Sequence, residues 1–265
     1  MQLTRSARGL ALPLLAAGAL LAQPAQQQPQ AVTKVSLFKV PLDKVGAFLA
    51  KGKQFVPALD TMFANGTIIG YGIESDYLHV PGATNVAFWY TAANLADLGK
   101  ADEAIDAFAE KNPQLMADLS ALSDMSAHRD LIVRSPVMGS KPSSACMPKF
   151  GGMTVEKIDN GKVAEDIELY KKYWKSEMDA LVQAGTICAY GYDVEAWHAQ
   201  APGMTYRWVF VPDLGSFDKI RAASRAAWQK LSEPEQKLLE AFDDANLDPA
   251  SHRDGLTSMV AYKFK

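Results

Sequence analysis

The first periodic stretch of the chain, "VTKVSLFKV" (32–40), alternates apolar and polar residues, the period-two pattern of a strand with one buried face. Val45, Phe48, Leu49, Gly52, Phe55, Val56, Leu59, Met62 and Phe63 then recur at helical spacing. Two β-type runs follow, Thr67–Glu74 and Thr84–Tyr90, joined through Pro81-Gly82, a pair suited to a type II turn. A second helical region starts near Asn94, restarts at "NPQLM" with Asn112 as N-cap and Pro113 in the first turn, and ends near Ser123. The strand "DLIVRS" closes the set.

The same order then returns: strand 153–159, helix 162–184, strands 186–195 and 204–211, a helix from Ser216, and the strand "LTSMVAYKF". In "SEPE" (232–235) the last helix restarts as a capping box, Ser232 to Glu235. Residues 65–79, "NGTIIGYGIESDYLH", align without gaps on 184–198, "AGTICAYGYDVEAWH", and "PGATNVAFWY" (81–90) falls on "PGMTYRWVFV" (202–211). Upstream, "FKVPLDKV" (38–45) resembles "EKIDNGKV" (156–163). The chain therefore reads as a tandem duplication of a βαββαβ unit. The first unit covers 32–134 and the second 153–265. Between them, 135–152 is rich in Pro, Gly and Ser without a period and reads as a linker.

Ahead of the first strand the pattern changes. Arg5 and Arg8 precede an apolar run from Leu10 to Ala22, interrupted by Pro13 and too short to span a bilayer. Residues 1–22 read as a secretory signal peptide and 23–31 as a disordered tail, so the expectation is an exported protein, periplasmic or secreted. The formal charge of −3 becomes more negative when that segment is removed. A mildly acidic chain without a Lys/Arg cluster argues against nucleic acid, and no membrane contact is expected after signal removal. Only Cys146 and Cys188 are present, too few for a disulfide scaffold. They either form one bridge or leave Cys188 as a small apolar strand residue.

A βαββαβ unit is the ferredoxin-like arrangement, an antiparallel four-stranded sheet with both helices on one face. The other face is apolar and needs cover, and the second unit can supply it. The expected fold class is α+β: tandem ferredoxin-like units whose sheets pack face to face as an intramolecular α+β barrel. In this order of elements the chain resembles the dimeric α+β barrel superfamily, including families with two units in one chain such as the chlorite dismutase and dye-decolourising peroxidase group. The resemblance implies a small-molecule-binding barrel. Cofactor-independent oxygenases are one kind, and some two-unit chains carry haem.

The tripeptide His-Arg-Asp occurs twice, at 128–130 and 252–254. It opens the catalytic loop of protein kinases, but the Asn required five residues after the Asp is Ser135 or Met259 here, and no Gly-rich loop precedes either copy. The expected role is structural: His128, Arg129, Asp130 and His252, Arg253, Asp254 bind backbone or carboxylate groups where helix meets strand. All four histidines fall into matched pairs. His79 and His198 end the second strand of each unit, near the barrel mouth, and are the candidate general bases. Tyr71, Tyr190, Trp89 and Trp208 are the candidate lining of a pocket for a small apolar or aromatic molecule. No H-x-H, H-E-x-x-H or C-x-x-C spacing marks a metal site, and no histidine matches a haem-ligand motif, so no cofactor is expected. The reading is a small-molecule-binding barrel, with a metal-independent enzyme using histidine as base as its catalytic form. The alternatives are a non-catalytic binding or assembly module and a haem protein.

Overall fold

The computed structural model describes residues 30–80, 82–159, 161–197 and 202–265; the expected leader and tail up to residue 29, Pro81 and His198 lie outside them. The first half runs β1 (Ala31–Lys39), α1 (Val45–Gly52), α2 (Val56–Asn65), β2 (Gly70–Asp76), β3 (Val86–Ala92), α3 (Leu95–Lys111), α4 (Pro113–Leu122) and β4 (Asp124–Ser140). The second half runs β5 (Phe150–Ile158), α5 (Val163–Tyr173), α6 (Lys175–Gln183), β6 (Ala189–Glu195), β7 (Met204–Val211), α7 (Gly215–Lys230), α8 (Glu233–Asn246) and β8 (Leu247–Phe264). The capping box of Ser232 and Glu235 forms at the start of α8. Asn112 occupies the N-cap of α4 without capping it, because its side-chain amide donates to the Phe108 carbonyl at the end of α3.

The strands form one closed antiparallel barrel in the order β1-β3-β2-β8-β5-β7-β6-β4. Within each half the order is that of a ferredoxin-like sheet, with β4 and β2, or β8 and β6, at the edges. The sheets of the two halves pack side chains together across the lumen and also join edge to edge, β2 on β8 and β4 on β6, which closes the barrel.

Edge joining explains why β4 and β8 are much longer than the strands read from sequence. From Asp124 to Ser135, β4 pairs with β1 of its own half; from Val133 to Ser140 it pairs with β6 of the other. In the same way β8 pairs with β5 from Leu247 to Ser258 and with β2 from Thr257 to Phe264. Each long strand changes partner midway. As a result both His-Arg-Asp copies lie inside strands and not at helix–strand junctions, and β4 runs well into the expected linker, leaving only 141–149 between β4 and β5.

Alternation along the strands separates two environments. One core lies between each half's sheet and its helices, built on residues such as Phe48, Tyr71 and Leu119 in the first and Tyr170, Tyr190 and Val182 in the second. A third fills the lumen with side chains from both halves, among them Trp89, Phe210, Tyr262 and Phe264. The two tryptophans need glycine across from them. Trp89 pairs with Gly72 and Trp208 with Gly191, and a β-carbon at either glycine would collide with the facing indole. Cys146 and Cys188 are joined in a disulfide, resolving the alternatives for Cys188 in favour of the bridge. The bond fastens the 141–149 connection to the residue just before β6.

Gly72→Val and Gly191→Val should each cost about 1–3 kcal/mol through overpacking, whereas Gly46→Ala, in an open stretch of α1, should leave stability equal or slightly higher. Urea titration of the three variants checks this. Reducing the Cys146–Cys188 bond should cost about 2–4 kcal/mol, measured in the same way with and without reductant.

Candidate functional site

The four aromatic residues expected to line one pocket stand on opposite faces of the sheet. Tyr71 and Tyr190 point to the helices: Tyr71 donates to Asp60 of α2 at 2.5 Å, and Tyr190 to the matched Asp179 of α6 at 2.6 Å. Trp89 and Trp208 point into the lumen and gather around Phe210, with ring centroids at 5.5 Å and 4.9 Å. The division follows from the two-residue period: in register, Tyr71 faces Tyr90, and Gly72 faces Trp89. His79 is exposed beyond the end of β2; burial pushes the Asp76 carboxyl up to about 6, and His79 offsets part of that rise.

The His-Arg-Asp copies bond backbone and carboxylate groups, but from within β4 and β8 and not at a junction. Asp130 and Asp254, both exposed, accept hydrogen bonds from hydroxyls of the neighbouring strand: Ser36 donates to Asp130 at 2.6 Å, and Thr154 to Asp254 at 2.9 Å. Arg129 lies opposite Leu37 in the ladder, and Arg253 donates to the Ala250 and His252 carbonyls. The two histidines have different surroundings. His128 stacks on Phe38 at 4.5 Å, with Nδ1 3.1 Å from the Leu37 carbonyl. His252 places Nδ1 3.0 Å from the Glu156 carboxylate and Nε2 3.3 Å from Asp254.

That difference extends to a whole cluster. In the first half, Phe38, Phe48 and Phe88 pack together between sheet and helix, their centroids 5.2–5.8 Å apart, with His128 at the edge. Matched strand registers put Glu156 at the place of Phe38 and Arg207 at that of Phe88, since Ser36 faces Phe88 as Thr154 faces Arg207; this corrects by two residues the alignment of 81–90 on 202–211. Asp166 of α5 takes the role of Phe48 of α1. Arg207 bridges the two carboxylates, at 3.3 Å to Glu156 and 3.1 Å to Asp166, and Tyr192 donates to Asp166. Asp166 and Glu156 are buried, while His252 is exposed, so the cluster reaches solvent through the imidazole. Hydrogen bonding to Glu156, then to Asp254, raises the His252 pKa. Sequence reading missed Glu156, Asp166 and Arg207. The signal was present in the alignment of "FKVPLDKV" on "EKIDNGKV", which sets Phe38 against Glu156.

The lumen holds a second pair that sequence reading missed, Glu74 and Asp193, aligned in "YGIE" and "YGYD". Trp208 Nε1 donates to Asp193 at 2.8 Å, and Thr257 Oγ donates to Glu74 at 2.5 Å. Trp89 Nε1 and Ser135 Oγ lie near Glu74 and Asp193 respectively without an aligned hydrogen bond. Burial pushes both carboxyls up to about 7, against the pull of those donors; the Asp76 charge adds to the rise at Glu74.

Among the described residues no histidine faces the lumen, which aromatic rings occupy: His128 and His252 stand on the helix-facing side and His79 is exposed at a loop. Among the described residues no group of three or more His, Cys, Asp or Glu is arranged to hold a metal ion.

Solved structures share the fold. A candidate monooxygenase from Fusobacterium nucleatum superposes with a TM-score of 0.63 at 12% identity, covering 89% of this chain and 95% of that one. Another, from Lactobacillus acidophilus, gives 0.60 at 9%, covering 89% and 96%. An anthrone oxidase-like protein gives 0.52 at 9%, covering 90% and 94%. At such identities the likeness establishes the α+β barrel fold alone. No protein-family model and no curated protein sequence matches the chain.

The lumen carboxyls make stability depend on pH in an uncommon direction. Folded Glu74 and Asp193 keep their protons to about pH 7, whereas in the unfolded chain they lose them near the ordinary carboxylate value. The folded state therefore binds more protons between those limits, and their contribution, complete at low pH, is lost as pH rises through about 7. The expected loss is on the order of 3 kcal/mol per group. Denaturant titrations from pH 4.5 to 8 should show this decline, and Glu74→Gln with Asp193→Asn should flatten it.

Proposed function

We propose that this chain is an exported, small-molecule-binding α+β barrel, built by duplication of one βαββαβ unit, whose second half carries a metal-independent acid–base site. The site consists of Glu156, Asp166, Tyr192, Arg207 and His252. The observation that carries the reading is the replacement, at matched positions, of a filled phenylalanine cluster by a largely buried charged one. The first half proves that the fold can fill this place with apolar side chains. Buried ions are commonly no more stabilising than hydrophobic residues of similar volume, so stability alone gives no reason for the charges.

The geometry suits proton abstraction. Glu156 holds Nδ1 of His252 and orients the ring, and Nε2, which faces the exposed Asp254 at 3.3 Å, takes a proton from a substrate that displaces that contact. The electron pair left behind collects on a substrate oxygen, which Arg207 stabilises. A planar keto or hydroxy aromatic compound meets both requirements, in line with an oxygenase or oxidase name on the three similar folds. Because its carboxylate neighbours raise the His252 pKa, the base form accumulates above the ordinary histidine range, and rate should rise with pH there. Export is supported by the leader pattern of residues 1–22 and by the single disulfide, which persists in oxidising compartments. A non-catalytic binding module is the second reading, favoured by the filled lumen.

The test uses anthrone as probe and its enolate absorbance as readout. The parent protein should bind it and speed formation of the enolate. His252→Gln and Glu156→Gln should each slow that rate by about 100-fold, within the range of general-base losses. The variant Glu156→Phe, Asp166→Phe, Arg207→Phe copies the first half; it should melt at the same temperature as the parent or higher and give no response. If it unfolds early while the single variants respond like the parent, the cluster is structural and the reading fails.

A further inference from the structure

The two halves meet at two seams, β2 on β8 and β4 on β6, and each seam carries carboxyls on its lumen face, Glu74 with Asp76 on one and Asp193 with Glu195 on the other. Glu74 stands on β2 and Asp193 on β6. Both ladders are irregular at that point. The β2–β8 register shifts between Ile73 and Glu74, and the β4–β6 register shifts between Arg134 and Val137, opposite Asp193. The Thr257 hydroxyl that donates to Glu74 at 2.5 Å belongs to β8, so this bond crosses the seam. Tyr262, also on β8 and opposite Gly72, is buried in the same seam, and its hydroxyl has no partner.

The groups facing each carboxyl differ little in kind. Around Glu74 they are Thr257 of β8, Gly151 of β5, Trp89 of β3, and Asp76 on its own strand, with His79 beyond. Around Asp193 they are Trp208 of β7 and Ser135 of β4, with the Tyr206–Glu195 pair and Arg129 farther along. Among the described residues the donors bonded to these carboxylates are neutral, the Thr257 hydroxyl at Glu74 and the Trp208 indole at Asp193. A buried charge without a counter-ion is costly, and the cheapest relief is access to water.

The seams are not equally free to part. The Cys146–Cys188 disulfide and the bond from Lys141 N–H to the Cys188 carbonyl at 2.8 Å fasten the far end of the β4–β6 seam. With both cysteines of the chain in that bond, the β2–β8 seam has no covalent latch.

We propose that the β2–β8 seam is a proton-operated gate into the lumen: protonated Glu74 and Thr257 hold it closed, and loss of the Glu74 proton opens it while the disulfide keeps β4–β6 shut. The gate is independent of the acid–base site on the helix side, and its test reads neither ligand nor catalysis. Hydrogen exchange of the oxidised full chain is compared at pH 5.5 and 8.5 after correction for intrinsic rates. Protection of 70–76 and 257–264 should fall at least about tenfold at the higher pH, while β1 and β3 and the β4–β6 seam keep theirs. Glu74→Gln, which keeps the shape and both hydrogen-bonding roles, should remove the pH dependence. Cys146→Ser with Cys188→Ser should extend it to β4–β6. Equal protection of the β2–β8 seam at the two pH values overturns the proposal from the parent protein alone, and so does an undiminished pH dependence in Glu74→Gln.

Discussion

A four-stranded ferredoxin-like sheet has two open edges and one uncovered apolar face, and both must be dealt with for the chain to be stable. Here one device serves both ends. The long strands β4 and β8 begin as partners of their own half and finish as partners of the other, which closes the ring and curls the two sheets around a common lumen. The glycines opposite Trp89 and Trp208, the register shifts beside the carboxyls and the disulfide at the end of one seam all follow from the need to close this ring and fill it.

Closure also explains why function need not be shared equally. The helix-facing cores are drawn mainly from one half each, with Val137 of β4 in the second and Ala261 of β8 against the first, so one can change with little effect on the other. The first keeps Phe38, Phe48 and Phe88 in contact, with His128 stacked at the edge. The second sets an arginine between two carboxylates, with His252 reaching the surface. One half thus serves as an internal reference for the other. What the aromatic half shows to be dispensable for folding is what the charged half is free to use.

Much of the fold is legible in the amino-acid sequence. Periodicity locates the helices and the central strands, and the gapless match of 65–79 on 184–198 exposes the repeated unit. The extension of β4 and β8 is not legible, because a strand paired on one edge and open to solvent carries polar residues such as Ser126 and Asp130 and loses its alternation. Tyr71 and Trp89 look alike in sequence because both are large and aromatic, but only the ladder register tells which faces the lumen. The charged cluster is half visible in Phe38 against Glu156; its other members come from elements far apart in sequence, and only the fold brings them together.

The most direct measurement is to locate anthrone bound to the protein in a crystal. An acid–base site in the second half predicts its oxygen beside Arg207 and its acidic carbon beside His252 Nε2, with the space around Phe38, Phe48 and Phe88 unchanged. A ligand seated in the first half, or in the lumen away from His252, would contradict it.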